Sequence, residues 1–145
     1  MSADGRLLAA LMCVALFGAA CWASPQSSAP PCTLRARLTA QDRELSKDAL
    51  ASIHLIQTND WRKASTELKT ADTLVHSMQN ELSQQLPSAA SKLHDASIWL
   101  ENALTGLSPA LEGASDPQSI LQSIGYAGSS VNAAMTAINQ SSEIC

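Results

Sequence analysis

The sequence predicts an all-α fold: an up-down-up-down four-helix bundle with an N-terminal signal segment. Three observations predict it. Apolar residues recur at spacings of three and four through most of the chain, the signature of helices with one buried stripe. The composition is 46% hydrophobic but only 3% aromatic, so Leu, Ile and Ala must fill the core. A cysteine also stands at each end of the helical region, Cys32 and Cys145, and an up-down-up-down bundle brings those two ends together.

Met1 to Arg6 carries one basic residue, and an uncharged apolar run follows from Leu7 to Ala20. That is the layout of a secretory signal peptide. The run is shorter than the roughly 20 apolar residues a spanning helix needs, so no stable transmembrane anchor is expected. Cleavage after Ala23 makes residues 1–23 a removed signal peptide. Alternatively, Phe17-Gly18-Ala19-Ala20-Cys21 resembles a permissive bacterial lipobox, which implies Cys21 as a lipidated first residue. A lipid there would be the protein's one membrane contact. Cys13 leaves with the signal run, and Cys21 leaves or becomes the anchor. Cys32 and Cys145 remain, and an even pair in an exported chain reads as one disulfide.

Residues 24–37 read as a Pro/Ser-rich leader and 38–145 as the bundle. The first helix is predicted over about Thr39 to Gln57, with Leu38, Leu45, Ala49, Ile53 and Ile56 on one stripe. Thr58-Asn59 breaks it, and Asn59 or Asp60 can cap the next. The second has the cleanest pattern: Trp61, Ala64, Leu68, Ala71, Val75, Met78 and Leu82 form a heptad seam. Pro87 opens the third, where Ala89, Leu93, Ala96, Leu100, Ala103 and Leu107 repeat the spacing. A turn at 83–86 is favoured over one long kinked helix, although no glycine marks it. Ser108 to Ser115 reads as a connector. Asp116-Pro117 restarts the chain as cap plus first-turn proline, with Ile120, Ile124, Ala127, Val131, Ala134 and Ile138 buried. Gly125 and Gly128 weaken this last helix and suggest close approach of a neighbour.

Functional signals are sparse. Nine basic against 13 acidic residues leave a net charge of −4, which argues against nucleic-acid binding. Loss of Asp4 and Arg6 with the signal peptide leaves that charge unchanged. His54, His76 and His94 lie off the seams, without ExxH or clustered cysteine, so neither a metal nor a cofactor is expected. The carboxylates are scattered, and no serine sits in a GxSxG elbow. The chain is therefore expected not to be an enzyme. Trp99 precedes the seam residue Leu100, and an exposed Trp99 beside Ile98 would be a partner contact.

Two short resemblances complete the reading. Asn59-Asp60-Trp61, Ala64, Leu68 and Ala71 resemble the turn and second helix of a tetratricopeptide-type hairpin. No second copy follows about 34 residues later, so the resemblance implies a hairpin and not a solenoid. Leu38-Thr39-Ala40-Gln41 resembles, one residue short, the LTxxQ signature of small periplasmic stress chaperones. The expected function is an exported, non-catalytic helical protein of the cell envelope or periplasm that binds an unidentified protein through its helix faces. The alternative is a carrier holding a small ligand or cofactor between its helices.

Overall fold

A computed structural model describes residues 30–111 and 116–145, with side chains described for 33–108 and from 116 onward. The expectations for the signal peptide, for Cys21 and for residues 24–29 lie outside the described residues, as does the side chain of Cys32. The described residues form four helices: α1 (Pro30–Gln57), α2 (Trp61–Leu82), α3 (Pro87–Leu111) and α4 (Pro117–Gln140). Among the described residues there is no strand, and no helix is long and apolar enough to cross a membrane.

Polar and steric contacts fix the helix directions. Arg37 and Gln41 near the start of α1 reach Glu81 near the end of α2. Ser97 of α3 bonds Asp72 of α2 across the turn at 83–86. Gly106 late in α3 abuts Ile120 early in α4. Arg35 at the start of α1 bonds backbone carbonyls at the end of α4. Successive helices therefore run antiparallel, and α1 lies beside α4. The four form a bundle in which, of the neighbouring helices, α3 and α4 pack most extensively and α1 and α4 least.

The α1 helix starts at Pro30, well before the predicted Thr39. Proline composition suggested an extended leader, but in the first turn of a helix proline forfeits no hydrogen bond. Leu34 and Leu38, one turn apart, are both buried and hold this extension on the core. Further along, Leu38, Leu45 and Ile56 are buried while Ala49 and Ile53 are only partly so. Ser52 takes a seam position and is fully buried, its hydroxyl satisfied by the Ala49 carbonyl at 2.7 Å.

The link to α2 is a Schellman ending followed at once by a cap. The Asp60 amide donates to the Leu55 carbonyl at 2.8 Å and the Asn59 amide to Ile56 at 3.2 Å, the paired bonds of that motif. Asn59 takes the required left-handed conformation at φ 63°, which asparagine tolerates better than most residues. Asp60 then accepts from the Lys63 amide.

Every predicted seam residue of α2 from Ala64 to Leu82 is buried, and Trp61 packs partly buried against the core. The turn at 83–86 is present. Leu86 stands in for the missing glycine: its amide donates to Leu82, its carbonyl accepts from Ala89 and Ala90, and its side chain packs on the core. Alternating Leu and Ala along α3 are all buried, the large-small interdigitation that fills a bundle seam. The α3 helix continues to Leu111, past the Ser108-Pro109 expected to begin a connector. One absent amide in the final turn removes a single i→i−4 bond and does not end the helix. Asp116 and Pro117 cap and open α4 as predicted.

The close approach expected at Gly125 and Gly128 occurs elsewhere. A Cβ at either would meet nothing within 4 Å, whereas one at Gly106 would lie 2.9 Å from Ile120 Cγ1. Gly125→Ala and Gly128→Ala are therefore expected to stabilise the fold by about 0.5–1 kcal/mol each through helix propensity. Gly106→Ala is expected to destabilise it by about 1 kcal/mol, because overpacking of a branched neighbour outweighs that gain. Urea unfolding midpoints check both signs.

Candidate functional site

The loosely packed α1–α4 seam opens into a cleft of about 300 Å³. Its apolar wall includes Leu45 and Ala49 of α1, Ile124, Ala127 and Val131 of α4, and Leu100 of α3. Because Leu100 belongs to the helix beyond α4, the cleft reaches the centre of the bundle. Its cause is in the sequence: Ser46 and Ala49 of α1 and Ala127 and Gly128 of α4 line it, and small residues on both sides leave the space unfilled. Leu50 stands on the rim with 68% of its surface exposed. Asp42, Ser46 and Asn132 supply the polar groups. Burial holds the Asp42 carboxyl above its ordinary 3.8, since desolvation disfavours the charged form.

A second acid, Asp48 on α1, is also raised from 3.8, first by burial and then by the nearby carboxylates Glu67 and Glu44; Lys47 acts in the opposite sense. Below 3.8 both folded and unfolded chains carry this proton. Between 3.8 and the raised folded value only the folded chain keeps it, so stability falls as pH rises through that window. Asp48→Asn is accordingly expected to stabilise the protein at neutral pH. The gain should shrink on acidification and vanish below pH 3.8, as followed by thermal unfolding across pH. A gain independent of pH would contradict this origin.

The three histidines are exposed, as their positions off the seams predict. One is engaged. His76 Nε2 lies 3.0 Å from Ser97 Oγ and 3.5 Å from Asp72 Oδ2. Ser97 is buried and also donates to Asp72 Oδ1 at 3.1 Å. The trio contains the residue types of a hydrolase triad without its arrangement. There the carboxylate holds Nδ1 while the serine meets Nε2, whereas here both approach the same nitrogen. The geometry orients His76 and Asp72 but does not build a proton relay through the ring. Glu101, one turn beyond Ser97, completes a group in which Asp72, His76 and Glu101 offer ligand atoms within 4.8 Å of one another. The carboxylates are scattered along the sequence, but the α2–α3 hairpin gathers these two.

Trp99 and Ile98, the predicted contact residues, lie on α3. Trp99 is partly buried and packs on Tyr126 of α4, with ring centroids 4.7 Å apart and planes at 45°. Ile98 is 43% and Tyr126 45% exposed. Nothing in the sequence pattern singles out Tyr126; its hydroxyl accepts from Gln122 one turn earlier.

No protein-family model, curated protein or solved structure matches this chain.

Proposed function

We propose that this chain is an exported, non-catalytic helical protein of the cell envelope or periplasm that binds another protein through its helix faces, with the α1–α4 cleft as the principal contact. The observation that carries this reading is Leu50: a leucine 68% exposed on the rim of an apolar cleft that reaches the bundle centre. The Ala and Gly floor allows a partner's backbone to come close, and Leu50 supplies the rim contact of a helix-in-groove interaction. Ile98, with the Trp99–Tyr126 pair on the flank of α4 that faces α3, is a second contact surface in this reading. Export rests on the Leu7–Ala20 run, with cleavage after Ala23 or lipidation at Cys21.

The same reading includes a Cys32–Cys145 disulfide. Cys32 lies in the first turn of α1, Cys145 is not a free thiol, and Arg35 in the next turn bonds the Ile144 carbonyl. An intact mass two hydrogens lighter than the reduced chain tests it, and also fixes the processed N-terminus.

The carrier reading is favoured by one observation, the cleft volume of about 300 Å³, which is at the lower end for small-molecule sites. A photo-crosslinking residue at position 50, with the exposed Lys92 position of α3 outside the cleft as control, separates the two. A defined protein adduct from position 50 alone, abolished by Gly128→Leu, supports the protein-binding reading. A co-purifying small molecule in the native mass, displaced by Gly128→Leu, replaces it with the carrier. A chain that gives neither result would overturn both.

A further inference from the structure

We propose that Asp72, His76 and Glu101 form a binding site for a divalent transition metal of the Zn²⁺ type on the α2–α3 face, separate from the α1–α4 cleft. The donor set is one imidazole nitrogen and two carboxylate oxygens. Mg²⁺ and Ca²⁺ prefer oxygen-only shells, whereas Zn²⁺ accepts both donor types and leaves a fourth position for water. Asp72 and His76 project from successive turns of one helix, and Glu101 comes from the antiparallel neighbour.

The spacing suits a tetrahedral ion. Ligands held at about 2.0–2.1 Å lie roughly 3.3–3.4 Å apart around a tetrahedral centre, and Asp72 Oδ2 is 3.5 Å from His76 Nε2. All three ligand atoms lie within 4.8 Å of one another, so side-chain rotations close the remaining gap. Ser97, 2% exposed, binds Asp72 Oδ1 and leaves Oδ2 for the ion. This is the outer-sphere support that metal ligands use. Charge points the same way: among the described residues no lysine or arginine pairs with Asp72 or Glu101. The Asp72 side chain is 19% and that of His76 48% exposed, sheltering one ligand while the ion stays accessible to solvent. On binding, the ion takes the Nε2 lone pair and replaces the Ser97 Oγ contact there, with the ring proton on Nδ1, while Ser97 stays on Asp72 Oδ1.

Zn²⁺ titration by calorimetry into the full chain, purified without reductant or chelator, tests the site, with Co²⁺ absorption as a second readout. One Zn²⁺ per chain is expected, together with visible bands of tetrahedral Co²⁺. His76→Gln and Glu101→Gln should each weaken Zn²⁺ binding by about tenfold or more, and Ser97→Ala by about tenfold through lost support. His54→Gln with His94→Gln should change nothing. His76 and Glu101 are exposed, so their variants keep the fold. Absence of stoichiometric Zn²⁺ uptake overturns the proposal. So does uptake that survives His76→Gln and Glu101→Gln, or that is lost with His54 and His94.

Discussion

In the chain with reduced cysteines, replacing Arg35 with methionine is expected to lower unfolding stability by about 3 kcal/mol and to release the C-terminal tail. The guanidinium Nη2 donates to the carbonyls of Ile138 at 3.2 Å, of Ser141 at 2.8 Å, and of Ile144. The first two lie in the last turn and at the C-cap of α4, where the helix dipole favours a cation. Charged hydrogen bonds contribute about 1.5–3 kcal/mol each; the Ile138 carbonyl keeps the Ser141 amide as a donor, whereas a carbonyl left unpaired adds its desolvation cost. These bonds also hold Ile144, 1% exposed, in the core; burying such a side chain is worth about 2 kcal/mol. The terms overlap, since tail release returns the carbonyls to water, so their sum is not the expected loss. Methionine keeps the apolar stem and removes the charge, which separates packing from polar contact. Urea unfolding gives the energy, and carboxypeptidase trimming of the last residues reports tail release. A loss under about 1 kcal/mol with an uncut tail would show that Arg35 does not hold this end.

That clasp is invisible to pattern reading, and the reason is physical. Heptad tracing finds positions where burial is repeated, so it locates α2, the Leu–Ala seam of α3 and the stripe of α4 almost residue for residue. It has no access to contacts made once. Arg35 falls in a stretch that reads as leader, because three prolines and three serines outweigh the Leu34–Leu38 pair that makes it helical. Gly106 escapes for a related reason. Glycine's conspicuous feature in a helix is its low propensity, which points to Gly125 and Gly128, while close packing depends on which residue the neighbouring helix presents. The Asp72–His76–Glu101 group is partly legible. Asp72 and His76 are one turn apart, as are Ser97 and Glu101, and the turn at 83–86 lies midway between Asp72 and Ser97. Folding the hairpin on paper brings the pairs together, but apolar seams alone do not prompt that step. The α1–α4 cleft is legible only as facing small residues, whose consequence depends on helix separation.

Reduction of the proposed Cys32–Cys145 bridge, or Cys145→Ser, is expected to cost roughly 4–5 kcal/mol, the value for closing a loop of about 100 residues. Such a bridge acts mainly on the unfolded chain, whose ends it keeps together, whereas Arg35 acts on the folded one. If the two were independent, their effects would add. They meet at the same end of the bundle, however, and the bridge holds Ile144 near Arg35 even when the side-chain clasp is absent. Arg35→Met should therefore cost less in the oxidised chain than in the reduced one, with a coupling of about 1 kcal/mol in a double-mutant cycle. Unfolding measurements on the unaltered chain and the Arg35→Met variant, each with oxidised and with reduced cysteines, provide it. An additive cycle would mean that the tail docks through Ile144 and Arg35 without help from the disulfide. A reduced chain as stable as the oxidised one would remove the bridge from the account of this fold. The predicted pattern would make the clasp and the staple two parts of one closure, joining the first turn of α1 to the last residue of the chain.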